Sequence, residues 1–490
     1  MKIKKEIVVI SIIFLLSFAF NLYFSMQIGH FSSDDAYFNL RHTEFISENM
    51  QPIVYDIQSY GGNYILDTHI WHYILAVVNN LFGFLVAFKI VPALLASLVV
   101  VFGYLIAREI TKNDMASYFG ALIFAFIPNF INLTLNQISI YSVFVPLMLL
   151  FIYSLLKIKE RIGLFLITSF LITILDPMNF LFFLALIIFA ILMAVDDIQM
   201  QNETKNGILF YVLLMILFNL ILFKNIYLEQ GLLAVWQNVP PQLYYDYFRS
   251  INIIGLIANI GIIPIILGVG GFVLGFLGEK KRDIYLLSSI IISCGILLLL
   301  KLISFDLGMM LLAVMLSITS VLTIDKFINY IKITKFARFK TLIIGAVMVI
   351  AIISLIIPAT VYARDTIENG VSYEEIEALE WIRDNTPTGS SVVGNVYEGN
   401  LISSIAQRIN VIDTQFILAE NRYVDISNLF QTESLVKAQR TLAKYNADYI
   451  YFSDKTKHLY GIDRLKYVNE EICFDEVFSN EEATVYEVVC

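Results

Sequence analysis

Apolar runs of about 18 or more residues recur through the first three quarters of this chain, and each is long enough for a helix to cross a bilayer. They fall near 7–26, 90–108, 117–133, 139–156, 162–176, 178–195, 208–225, 252–278, 284–303, 307–325 and 341–362. A mean hydropathy of +0.74, with 58% hydrophobic residues, exceeds what a soluble core can bury. The chain therefore reads as a polytopic α-helical membrane protein of about 11 spans. Residues 70–88 are also apolar, but Asn79, Asn80 and Gly83 interrupt them, which predicts an interfacial or half-buried helix leading into the second span. No small-residue cleavage site follows the first run, so it reads as an uncleaved helix.

The positive-inside rule orients the spans. With the N-terminus inside, the inner segments are Lys2–Lys5, Arg108–Asp114, Lys157–Arg161, Asp196–Gly207, Glu279–Asp283 and Asp325–Lys340, and only Asp196–Gly207 lacks a basic bias. Loops 27–89 and 226–251 and the tail then lie outside. No span is read as carrying the buried charges of an ion-coupled transporter. Residues 363–490 hold 11 Lys and Arg against 22 Asp and Glu, which leaves 22 and 20 for residues 1–362. The acidity belongs to the tail, and no basic patch points to nucleic acid.

The division is thus a membrane domain over 1–362 and a soluble α/β domain over 363–490. In the tail, Glu374–Asn385 is apolar at helical spacing and stops at Asn385-Thr386-Pro387-Thr388-Gly389. Strands are expected at Ser391–Val396, Arg408–Asp413, Asp448–Ser453 and Thr484–Val489, with helices at 400–407 and 433–445. That alternation implies a partly parallel sheet. Cys473 and Cys490 can pair or stay free, and Cys294 lies in a span.

Ionisable groups at a membrane face are where chemistry is sought. Four of the five histidines and the Asp34-Asp35 pair crowd the segment after the first span. A carboxylate there can act as general base or ligate a divalent cation, and Ser32-Ser33-Asp34-Asp35 is also a helix N-cap pattern. Arg41 can clamp an anionic phosphate or pair with one of these aspartates. His69 and His72, at i and i+3, can bind zinc with Asp67 or Asp35, or anchor the interface beside Trp71. The 226–251 loop offers Trp236, Gln237, Tyr244, Tyr245, Tyr247 and Arg249, suited to stacking on a sugar or to an aromatic belt. Lys301, at the outer end of its span, can pair a lipid phosphate or snorkel.

These features resemble the GT-C superfamily, membrane glycosyltransferases that take sugars from polyprenyl-phosphate carriers. The likeness is greatest to the archaeal and bacterial oligosaccharyltransferase catalytic subunit. It is carried by Asp35-Ala36-Tyr37-Phe38-Asn39-Leu40-Arg41, by Phe119–Asn136 with Pro128, by Val235–Ile262, by Ala378–Pro387 and by Asn395-Val396-Tyr397-Glu398-Gly399. The last of these falls where the family carries WWDYG, of which only Gly399 remains. The family's second acidic motif falls at Asn136–Ser139, without a carboxylate, and its external-loop glutamate falls near Gln237.

The resemblance implies Asp35 and Asp34 as the catalytic pair, Arg41 and Lys301 facing the donor phosphate, and the 226–251 aromatics at the acceptor. In the family the acidic set holds the metal, Mg2+ or Mn2+, and here Asp35 alone of that set stands. An amide acceptor needs several acidic partners, whereas a hydroxyl needs one positioned base. The expectation is therefore transfer from a polyprenyl-phosphate sugar to a hydroxyl on a glycan, lipid or protein at the outer membrane face, with no essential divalent ion. A metal-dependent oligosaccharyltransferase acting on Asn sequons and a non-catalytic glycan-handling paralogue are the alternatives.

Overall fold

The computed structural model describes residues 5–65, 68–224, 227–228, 231, 239–243, 253–277, 281–469 and 473–490. The chain forms two compact units, each built from three segments. Unit 1 comprises Met1–Ile28, Phe82–Lys224 and Tyr247–Glu368, and unit 2 comprises Gly29–Leu81, Asn225–Asp246 and Asn369–Cys490.

Seven helices among the described residues are long and apolar enough to cross a membrane, six within unit 1 and the seventh, Ala337–Asn385, continuing past its end. They become eight if Asp114–Ala125 and Pro128–Thr134, bent by 45°, form one span. The bend falls at Pro128, whose ring removes a helical donor. The remaining expected runs are the shorter apolar helices Tyr141–Leu156, Ile162–Leu175 and Ile262–Phe276. The Phe305–Ile333 helix is 78% buried over its apolar window, against 17% for Lys5–Ser25 and Asn202–Leu222. The first is the core of the bundle, and the other two turn Leu15, Leu16, Leu213 and Leu217 outward, as lipid-facing helices do.

Small residues let helices approach closely where lipid supplies no hydrophobic drive between them. Gly268 and Gly271 bring Ile262–Phe276 against Phe305–Ile333, where the Thr319 hydroxyl donates to the Gly268 carbonyl at 2.9 Å. A Cβ on Gly271 would be driven into the Thr319 carbonyl oxygen. Gly271→Leu is therefore expected to destabilise unit 1 by about 1–3 kcal/mol through overpacking. A lowered unfolding midpoint of the full chain in detergent would show it.

Unit 2 is an α/β domain. Its five-stranded sheet runs in the order β4 (Ile409–Asn410), β3 (Ser391–Val393), β5 (Tyr449–Ser453), β7 (Ala483–Val488), β6 (Phe474–Ser479). β3 pairs in parallel with β4 and β5, while β7 runs antiparallel to β5 and β6, so the sheet is partly parallel as expected. Among the elements that escaped the sequence reading, two show why. The Phe416–Gln431 helix interrupts its apolar positions with Glu420, Asn421, Arg422 and Asp425, and β6 carries Asp475 and Glu476 on a solvent-facing edge. The Tyr373–Asn385 helix begins with a capping box, Ser372 and Glu375 each satisfying the other's backbone amide. Cys473 and Cys490 form a disulfide.

The segment that follows the first apolar helix is structurally part of this same unit. It folds as a helix (Asp34–Asn49), a hairpin of β1 (Tyr55–Asp56) and β2 (Asn63–Tyr64), and a helix (Ile70–Phe82). The hairpin tip is bonded into the tail. Ser59 Oγ donates to Asp413 at 2.6 Å, the Tyr60 amide to Asn410 at 3.1 Å, and the Asn410 amide to the Gln58 carbonyl at 2.8 Å. Arg422 closes the joint with a bond to the Tyr60 carbonyl and its guanidinium 4.9 Å from the Tyr60 ring centre.

Candidate functional site

Ser33 caps the Asp34–Asn49 helix by accepting from the Ala36 amide at 3.2 Å, so neither aspartate is consumed as the cap. Asp34 reaches the tail instead. It accepts from the Leu401 amide at 2.8 Å and from Asn400 Nδ2 at 2.7 Å, partners more than 360 residues away in sequence. Asp35 accepts one longer bond, from the Thr414 hydroxyl at 3.3 Å. Asp34 is half-buried, and Asp35 is exposed. Desolvation, then the Asp35 charge, holds the Asp34 carboxyl well above the ordinary carboxylate range, against its bonds to Leu401 and Asn400. Desolvation also raises Asp35, opposed by Thr414.

The Asn395–Gly399 turn delivers Asn400 and Leu401 to Asp34. Its side chains point inward: Asn395 and Glu398 are buried, with Asn395 Nδ2 donating to Thr456 at 2.9 Å. Glu398 accepts from Ser453 Oγ, from Thr456 Oγ1 at 3.0 Å and from the Asn395 amide at 3.1 Å. Burial, then the neighbouring Glu375, pushes its carboxyl up to about 7. A raised folded-state pKa means that the native protein binds this proton more tightly than the unfolded chain. Its contribution is therefore lost as pH rises from about 4.5 to about 7. Glu398→Gln is expected to flatten that limb of the stability profile, which amounts to about 1–3 kcal/mol in wild type. Unfolding midpoints across pH would measure it.

Arg41 is engaged by neither aspartate of the pair. Its guanidinium pairs with Asp56 and bonds Gln58 Oε1 at 2.7 Å, fixing the helix to the hairpin. His69 and His72 gather around His42, with ring centres 5.5–5.6 Å apart. Asp67 and the loop candidates Trp236, Gln237, Tyr244, Tyr245 and Arg249 lie outside the described residues. Lys301 follows the Lys281–Leu299 helix in unit 1, exposed and with a left-handed backbone at φ 56°. As placed, no three His, Cys, Asp or Glu among the described residues are arranged to hold a metal ion.

One buried cation lies just before the 90–108 run as read from the sequence: Lys89, 4% exposed near the start of the Val86–Thr111 helix. Its ammonium donates to the Ser25 carbonyl at 3.0 Å, to the Ile28 carbonyl at 3.4 Å and to Asn136 Oδ1. It lines a recess in unit 1 with Asn21, Ser25, Thr134 and Gln137. Asn136 is held there in a left-handed backbone conformation at φ 57°. The lone lysine in an apolar run was the available signal, masked because it sits at the edge of the run. Asn400 and Thr414 carried no such signal, since only the fold brings them to the aspartates.

This arrangement, a helical membrane unit with an α/β unit that clasps the first loop, is the fold of the GT-C membrane glycosyltransferases. The chain is similar to the Archaeoglobus fulgidus oligosaccharyltransferase, solved with a tethered acceptor peptide containing the NVT sequon. That match has a TM-score of 0.70 and 15% identity over 99% of this chain and 74% of that one. It is also similar to ArnT from Cupriavidus metallidurans bound to undecaprenyl phosphate, with a TM-score of 0.57 and 11% identity, covering 99% and 98% of the two chains. A third likeness is to the mycobacterial arabinofuranosyltransferase AftD, with a TM-score of 0.54 and 13% identity over 98% of this chain and 41% of that one. No protein-family model matches the sequence, and no curated protein sequence matches it.

Proposed function

We propose that the protein is a multi-pass membrane glycosyltransferase that moves a sugar from a polyprenyl-phosphate carrier to a hydroxyl acceptor at the outer face. The observation that carries this reading is Asp35, a solvent-exposed carboxylate with a single hydroxyl partner and a raised pKa. The acceptor hydroxyl bonds to Asp35, which takes its proton as the oxygen attacks the anomeric carbon. The bond from that carbon to the carrier's phosphate oxygen breaks, and the polyprenyl phosphate leaves with the electron pair. Asp34 holds the Asn400–Leu401 turn beside the base.

In unit 1 the buried Lys89 ammonium lines a recess with polar walls and is suited by its charge to an anionic lipid phosphate, and Lys301 is a second cation. With the Arg41 guanidinium held by Asp56 and Gln58, it is proposed to position the helix rather than to face the donor. The A. fulgidus enzyme with its dolichol-phosphate and ArnT with its undecaprenyl phosphate support the class of donor. The inward-turned Asn395 and Glu398, at the positions of the sequon-reading signature, favour a hydroxyl over an Asn-sequon acceptor.

The experiment is a transfer assay with a polyprenyl-phospho-sugar and a hydroxyl acceptor, with and without EDTA. Transfer that survives EDTA is expected. Transfer that stops in EDTA and returns with Mn2+, on a sequon peptide alone, would install the oligosaccharyltransferase reading instead.

A further inference from the structure

Glu398 is 0% exposed, and so are the two hydroxyl residues that it meets, Ser453 and Thr456. A carboxylate buried so completely needs a cation beside it. Among the described residues none pairs with it: Lys455, whose charge acts on Glu398, is engaged by Glu375 at 2.7 Å.

The contacts around Glu398 close a ring. Oε1 meets Ser453 Oγ, Ser453 Oγ meets Thr456 Oγ1 at 3.3 Å, and Thr456 Oγ1 meets Oε2 at 3.0 Å. Three N–H donors point into the ring from outside. The Thr456 amide reaches Ser453 Oγ at 3.0 Å, Asn395 Nδ2 reaches Thr456 Oγ1 at 2.9 Å, and the Asn395 amide reaches Oε2 at 3.1 Å. Hydroxyl hydrogens turn to suit their partners, so the ring can be counted for either state of the acid. With Glu398 ionised, both hydroxyls point at it and the Ser453–Thr456 contact holds no hydrogen. With Glu398 protonated, Oε1 donates to Ser453, Ser453 to Thr456, and Thr456 back to Oε2. Every contact of the ring then holds one hydrogen, and bonds in such a chain reinforce one another. The ring is built for the protonated acid.

The groups facing Glu398 leave the titration to it. Glu375, on the Tyr373–Asn385 helix, is 2% exposed and ion-paired to Lys455 of the Asp454–Tyr460 helix. Burial raises the Tyr451 and Tyr460 phenols above the ordinary tyrosine range, so both stay neutral. Glu398 also stands at the N-cap of the short helix that carries Asn400 and Leu401, and its carbonyl accepts from the Ile402 amide at 3.0 Å. Those two residues are the donors to Asp34, and all these groups lie in unit 2.

We propose that the Asn395–Gly399 turn is a proton-held latch: the ring of Glu398, Ser453 and Thr456 fastens it while Glu398 is protonated, and loss of that proton frees Asn400 and Leu401 from Asp34. A charge formed inside the ring removes a hydrogen from it and meets no water until the turn opens. Opening therefore releases a proton. It becomes easier as pH rises from about 4.5 to about 7, then levels off once the closed form ionises too. That the latch regulates transfer rests on the transfer reading above; the latch itself does not.

The test is hydrogen–deuterium exchange of the full chain in detergent, read on peptides covering 395–402 and corrected for the intrinsic rate. Wild-type protection should fall by up to about tenfold per pH unit across that window. Glu398→Gln keeps a donor and an acceptor in the ring without a titrating proton, so its protection should not follow pH. Burial also raises Asp34, the other titrating carboxyl at this turn, so Asp34→Asn is the control, expected to lower protection and keep the slope. In the transfer assay the ratio of the Glu398→Gln rate to the wild-type rate should rise with pH over the same window. A latch seen in exchange without any detectable transfer would stand while the transfer reading falls. Wild-type protection that ignores pH, a slope kept in folded Glu398→Gln, or a slope lost in Asp34→Asn would each overturn the proposal. The wild-type series needs no variant, so it decides even where Glu398→Gln does not fold.

Discussion

Asp35→Asn is expected to lower the transfer rate about 10²–10⁴-fold, the usual contribution of a positioned general base. The loss should appear in kcat, because an amide of the same shape still bonds the acceptor hydroxyl but cannot take its proton. Asp34→Asn should cost less. It keeps an oxygen for the Leu401 amide, but sets an NH2 against the Asn400 NH2 and so loosens the turn rather than removing the base. The pH profile separates the two roles. Only the ionised Asp35 is a base, and burial raises its pKa, so activity should fall as pH drops through a value above the ordinary aspartate range. A steady-state series in wild type and both variants measures this. Unchanged kcat in Asp35→Asn would remove Asp35 from the chemistry.

The membrane unit was legible because lipid imposes one simple condition, a long apolar helix, on each crossing. The runs stand out, although the 117–133 run was read as unbroken and the structure bends it at Pro128. Within unit 2 legibility was local. The Glu374–Asn385 helix carries its own apolar spacing and stop signal, and Asp448–Ser453 is an apolar strand, so both were read from neighbours in sequence. The site was half legible. Asp34 and Asp35 stood out as acid beside lipid, but their partners Asn400, Leu401 and Thr414 are joined to them only by folding. Arg41 shows the converse. Its charge was visible, yet its partner Asp56 became predictable only once the β1–β2 hairpin turned back along the helix. The histidines were read as a pair because His42 and His69 lie too far apart in sequence for spacing to suggest a triad.

Gly399→Ala is expected to cost about 3 kcal/mol or more, at the upper end of overpacking, although the residue lies in a short surface-seeming motif. A Cβ there would lie 2.5 Å from the Asp413 Cβ and closer still to the Ile412 carbonyl oxygen. Neither neighbour can yield. Asp413 is fully buried and bonded to Ser59, to Asn410 and to the Gln415 amide, while the Tyr60 hydroxyl holds its carbonyl at 2.8 Å. The strain must therefore move Gly399 itself. The next two residues are Asn400 and Leu401, the donors that hold Asp34. Thermal unfolding of the full chain should show the lowered midpoint. Transfer measured well below that midpoint should still be reduced, because the turn that supports Asp34 is displaced even where the unit stays folded. A Gly399→Ala protein with wild-type stability and activity would mean that Ile412–Asp413 can retreat.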